Sequence, residues 1–96
     1  MVIAGIEWDD ANWPRCGKHG VSREEIEAML SDDPAVYLDP LHSADEQRYR
    51  AIGMSSEGRR ILVAFTFRNN VAGRWLRPIG ARYMHRKEIL RYGRSH

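Results

Sequence analysis

One cysteine, Cys16, stands in a chain of 96 residues. A lone thiol builds no internal disulfide, so the fold must rest on its core, and a reducing, cytoplasmic setting is expected. Long apolar runs are missing too. No window approaches the roughly 18 apolar residues of a membrane span. The opening MVIAGIEWDD lacks the basic region and long apolar core of a signal peptide. The histidines, His19, His42, His85 and His96, never recur at i+3 or i+4, and Cys16 has no partner cysteine. Zinc-type spacing is therefore absent, and no metal or cofactor is expected. The glycines are scattered, without a G-x-G-x-x-G, a P-loop or a G-x-S-x-G elbow. Together these absences disfavour the familiar metal, nucleotide-binding and serine-hydrolase classes.

Acid is scarce in one half of the chain only. Residues 1–48 hold four basic side chains against eleven acids, a balance of −7. Residues 49–96 hold eleven against Glu57 and Glu88, a balance of +9. Ten of those eleven are arginines, whose planar forks match phosphate oxygens two at a time. Such a half-chain suits a polyanion or an acidic protein partner. The competing explanation is internal pairing of the basic half with the acidic half.

The length fits a single domain spanning 1–96. Residues 2–9 read as a short first strand. A short helix is expected from Asn12 to His19, with Pro14 in its first turn and Gly20 after its end. In 21–30, Ser22 and Glu25 have capping-box spacing, Val21 and Ile26 suit a hydrophobic staple, and Ile26, Met29 and Leu30 form an apolar stripe. Asp33-Pro34 stops that helix. Strands are expected in 35–42, ending at Asp39-Pro40, and at 46–53, 59–68 and 74–83, with a closing helix at 84–93. Short turns between the middle strands predict an antiparallel meander. The fold class is α+β, with four to five strands, two N-terminal helices and one C-terminal helix, the helices packed on one face.

The stretch LRPIGARYMHRKEILRY, 76–92, concentrates the basic charge: four arginines, a lysine and a histidine against Glu88 alone. Arg77 and Arg82 are five apart, so a regular strand points them to opposite faces. Pro78 and Gly80 between them suit a bulge, which would bring both to one side. Lys87 and Arg91 are i, i+4 neighbours on the closing helix. His85, Glu88 and Tyr92 share one row. Such a surface can hold successive phosphates, and tyrosines can stack on bases. Lys18 could bind phosphate or move a proton, or with His19 merely favour a helix C-terminus. Arg48 and Arg50 extend the basic surface if they lie beside the last strand; otherwise they are edge charges.

Taken in order, IEWDDANWPRCGKHGVSREEIEAML, DPLHSADEQRYRAIG, GRRILVAFTFR and LRPIGARYMHRKEILRY resemble the BrnT-type toxins of bacterial toxin–antitoxin pairs. The resemblance covers nearly the whole chain. It implies a RelE-like α+β fold, and a ribonuclease that blocks translation by cutting RNA. It further implies a BrnA-like ribbon-helix-helix antitoxin, through which alone operator DNA is reached. Matching positions carried over as functional are Lys18, Arg48, Arg77, Arg82 and Tyr92. The family often has serine where this chain has Gly80, and as a rule lacks the Trp13-Pro14 pair.

Cleavage of this kind uses the RNA 2′-hydroxyl, so the protein can act by positioning and charge alone. Arg77 and Arg82 are expected to clamp the scissile phosphate, with Lys18, Tyr92 or His85 moving a proton. Arg48, Arg50, Lys87 and Arg91 are expected along the RNA backbone. The rival expectations are a weak or inactive toxin that mainly binds its antitoxin, and a nucleic-acid-binding module without chemistry.

Overall fold

The computed structural model describes residues 2–93. Arg94 of the basic half, and His96, lie outside the described residues. In chain order the elements are β1 (Gly5–Ile6), α1 (Trp13–Gly17), α2 (Arg23–Ser31), β2 (Ala35–Leu38), β3 (Tyr49–Met54), β4 (Arg60–Asn70), β5 (Gly73–Tyr83) and α3 (Arg86–Gly93). The strands form one sheet in the order β1-β5-β4-β3-β2. The expected meander is present from β2 to β5, every pair antiparallel.

β1 is shorter than expected. It lies parallel to β5 and pairs only Gly5 with Trp75 and Ile6 with Leu76. Ala4 N–H to the Arg74 carbonyl, 2.7 Å, and Glu7 N–H to the Leu76 carbonyl, 2.8 Å, extend the ladder by one bond on each side. Trp75 lies so close that a Cβ on Gly5 would sit 2.5 Å from its ring. β2 ends at Leu38, beside the expected stop at Asp39-Pro40. Pro40 has no N–H to donate, and the chain turns at Pro40–His42 through one 3₁₀ turn.

α2 starts as its sequence dictates. The Ser22 side chain accepts from Glu25 N–H at 3.1 Å, and Glu25 Oε1 accepts from Ser22 N–H at 3.2 Å. Val21 and Ile26 are both buried in the main core. That core lies between the helices α1 and α2 and one face of the sheet. Cys16, Val21, Ile26, Met29 and Leu30 pack against Ala51, Ile61, Val63, Phe65, Leu76 and Ala81. The helices do not all share that face. Ile52, Leu62 and Met84 form a second cluster on the opposite face, covered by Ile89 and Tyr92 of α3 and by Tyr37. Alternation explains this: Ile52 pairs with Leu62 and points away from Ala51 and Val63. Two apolar side chains on that face need a cover, which the i, i+3 pair Ile89 and Tyr92 supplies.

β5 carries the bulge its sequence suggests. Ala64 pairs with Gly80 but Phe65 pairs with Pro78, leaving Ile79 as the extra residue. Asn12 fastens α1 beside it. The buried Asn12 Nδ2 donates to the carbonyls of Glu7 and Pro78, both at 2.9 Å, and its Oδ1 accepts from Asp9 N–H at 2.7 Å. Thus Asn12 is occupied in tertiary contacts and does not cap α1. The Asp9 side chain accepts from the N–H groups of Ala11 and Asn12, closing the turn that precedes α1.

Candidate active site

The bulge decides which basic residues meet. Arg77 pairs with Thr66 and Arg82 with Leu62, four residues apart on β4, so both arginines lie on one face of the sheet. Arg50 pairs with Ala64 and shares that face. It is the face that α3 covers only in part.

Sharing a face does not bring the two β5 arginines to one point. Their partners on β4 lie about 13 Å apart along the strand. The Arg77 guanidinium donates to Glu7 at 2.7 Å and to both oxygens of Asp9 at 2.8 and 3.2 Å. Its side chain is only 14% exposed. Arg77 therefore ties β5 to the segment leaving β1, and holds the Asp9 carboxyl down at about 2, helped by the Asn12 N–H.

Arg82 sits where two clefts join. One, of about 260 Å³, is walled by Arg15, Lys18 and His19 of the α1 end and by Ile79. The other, of about 270 Å³, is walled by Asp39, His42, Arg48 and Arg50. Both include Leu62, Ala64 and Arg82, so they form one groove across β4 and β5. Ala64 and its cross-strand partner Gly80 are small, which keeps the floor low. A Cβ on Gly80 would meet nothing within 4 Å. α1 ends at Gly17, and Gly20 turns the chain at φ +87. This short end presents Lys18 and His19 to the groove.

α3 is tied to the groove through two of the groove's arginines. Arg82 Nη1 and Nη2 donate to the two Glu88 oxygens at 2.6 and 2.7 Å. Glu88 also accepts from His85 N–H at 3.0 Å, at the helix start. Arg82 foremost, then this N–H, hold the Glu88 carboxyl at about 2, while Glu88 pushes the Arg82 guanidinium pKa further up. Arg50 Nη1 donates to the Tyr92 hydroxyl at 3.1 Å, and Tyr92 packs on Tyr37. Arg50 Nε is buried without a hydrogen-bond partner among the described residues.

The groove thus gathers Lys18, Arg48, Arg50 and Arg82 of the expected set. Tyr92 touches it through Arg50. His85, Lys87 and Arg91 are exposed on or beside α3 and line neither cleft. β3 neighbours β4, not the last strand; Arg48 and Arg50 nonetheless line the same cleft as Arg82, with the small side chain of Ala64 on its floor. Sequence reasoning passed over Arg15, Asp39 and His42. The signal for the last two is local: Asp39 and His42 are three apart around a proline, and a 3₁₀ turn eclipses such a pair. Among the described residues no group of three or more His, Cys, Asp or Glu side chains is placed to hold a metal ion.

A small α+β protein with a mixed five-stranded sheet, and an arginine-centred groove on its more open face, is the class that fold and site define. The family model for the ribonuclease toxin BrnT of type II toxin–antitoxin systems matches residues 8–88, and the chain belongs to that family. Membership makes it a toxin, with RNA as substrate and an antitoxin as partner. A search of curated proteins gave no match. No helix among the described residues is long and apolar enough to cross a membrane.

Proposed function

We propose that the chain, as one toxin domain over 1–96, cleaves RNA without a metal ion, using the RNA's own 2′-hydroxyl in the groove centred on Arg82. The observation that carries this reading is the position of Arg82. It is the one charged side chain common to both clefts.

The reaction needs the 2′-oxygen in line with phosphorus, neutralised phosphorane charge and a protonated leaving 5′-oxygen. Arg82 faces the phosphate and stabilises the charge that develops on it. Its fork is held edge-on by Glu88, so it meets the substrate already oriented, and the remaining N–H groups are left for phosphate. Lys18 and His19 on one wall are proton donors for the leaving oxygen. Arg48 and Arg50 on the other wall track the backbone, and Lys87 and Arg91 of α3 carry the basic surface beyond the groove. Arg77, engaged with Glu7 and Asp9, supports the sheet edge. The products are a 2′,3′-cyclic phosphate and a 5′-hydroxyl. The antitoxin is a BrnA-like ribbon-helix-helix protein, and the reaction belongs in the cytoplasm.

A second reading has one observation in its favour. Both terminal nitrogens of Arg82 are occupied by Glu88. On this reading the groove is closed to catalysis, and the basic face mainly receives the antitoxin.

Purified protein incubated with mixed-sequence RNA in excess EDTA separates the two. Cyclic-phosphate ends are expected. Cleavage that EDTA abolishes would overturn the metal-free mechanism. Salt-sensitive binding with intact RNA would favour the second reading.

A further inference from the structure

His42 and Asp39 have no part in the mechanism so far. The chain places them with some care. β2 ends at Leu38, Pro40 turns the chain, and the 3₁₀ turn sets residues three apart side by side. His42 Nδ1 lies 3.0 Å from both carboxylate oxygens of Asp39. Asp39 is buried with its side chain 10% exposed, whereas that of His42 is 65% exposed. The loop that carries them is braced from behind. Ser43 Oγ donates to the Asp39 carbonyl at 2.6 Å and accepts from Arg48 N–H at 2.9 Å, and Asp39 N–H donates to the Arg48 carbonyl at 2.9 Å.

A carboxylate only accepts, so Nδ1 carries the ring proton and the Nε2 lone pair is left outward. His42 lines the cleft that also holds Arg48, Arg50 and Arg82. Those three and Asp39 are the charged groups that face it there. A hidden carboxylate behind an exposed imidazole fixes tautomer and orientation, and stabilises the ring once it gains a proton.

We propose that His42 is a catalytic residue, the proton acceptor of RNA cleavage in this groove, with Asp39 as its positioning residue. The inference rests on the ribonuclease reading. His42 Nε2 removes the 2′-hydroxyl proton as O2′ bonds to phosphorus. The P–O5′ bond breaks with its electron pair, and the leaving oxygen takes a proton from Lys18 or His19 on the opposite wall. In-line displacement puts attacking and leaving oxygens on opposite sides of phosphorus. Two walls with Arg82 between them meet that demand. His42 then returns its proton to solvent.

The test compares wild type, His42→Ala and Asp39→Asn on mixed-sequence RNA, with binding measured on the same RNA carrying 2′-O-methyl groups throughout. His42→Ala should cleave about 100-fold or more slowly, bind the methylated RNA as wild type does, and regain part of its rate with added imidazole. Asp39→Asn should lower kcat by a smaller factor and leave KM unchanged. Wild-type cleavage by His42→Ala, or a loss that imidazole does not restore, overturns the proposal while the ribonuclease reading stands. Intact RNA with wild type itself would sink that reading, and this inference with it.

Discussion

The Arg82 guanidinium and the Glu88 carboxylate meet edge to edge, with Nη1–Oε1 at 2.6 Å and Nη2–Oε2 at 2.7 Å. One contact thus fixes the groove's central cation and pins α3 over the second apolar cluster. A lysine, with a single charged nitrogen, cannot hold both oxygens in that geometry. Arg82→Lys is therefore expected to keep its charge and still lose cleavage by about 100-fold, on the order of one lost oriented donor. Full activity in Arg82→Lys would mean that charge alone suffices at this position.

Arg77 should behave differently. Its guanidinium is engaged by Glu7 and Asp9, and it lines neither cleft of the groove. Arg77→Ala is expected to lower stability modestly, because the ties from β5 to Glu7 and Asp9 are lost while water takes over at these partly exposed carboxylates. Denaturant unfolding measures this. A variant as stable as wild type but inactive would return Arg77 to the phosphate.

Acid should loosen the same two contacts. Glu88 and Asp9 both titrate at about 2 in the fold, below the ordinary carboxylate value near about 4. A lowered folded value gives stability that is complete above the unfolded value and is lost as pH falls through the folded one. Unfolding midpoints should thus hold near about pH 5 and drop between about pH 4 and pH 2. Glu88→Gln should flatten part of that drop. An unchanged slope in that variant would remove Glu88 from the explanation.

Two glycines give opposite expectations. A Cβ on Gly53 would lie 2.7 Å from Met29 Cγ, whereas one on Gly80 meets nothing within 4 Å. Gly53→Ala should lose about 1–3 kcal/mol through overpacking. Gly80→Ser should fold with unchanged or slightly greater stability, placing a hydroxyl on the groove floor beside Arg82. Thermal unfolding of the two variants tests the contrast. A strongly destabilised Gly80→Ser would show a crowded floor.

These outcomes also mark what a sequence can say. The capping box of α2, the meander and the β5 bulge rest on neighbours within a few residues, and they were legible. So was the shared face of Arg77 and Arg82, because Pro78 and Gly80 announce the bulge. The parallel docking of β1 was not, since it joins residues about seventy apart through two backbone pairs. The cover of α3 over Ile52 and Leu62 was missed for a related reason: alternation shows that a second face is apolar, not which element reaches it. Arg77 was drawn toward the phosphate because its acidic partners, Glu7 and Asp9, lie at the far end of the chain. The Asp39–His42 pair is local but hidden, since a strand stop at Asp39-Pro40 does not announce the 3₁₀ turn that sets the two side by side.

The central claim is that the groove around Arg82 is where RNA is cut. The most direct measurement is kcat/KM for wild type and Arg82→Ala on mixed-sequence RNA in EDTA, with antitoxin binding as the check on folding. The account predicts cyclic-phosphate products from wild type, and a loss of about 100-fold or more in Arg82→Ala with antitoxin binding largely intact. Equal cleavage by the two proteins would contradict it.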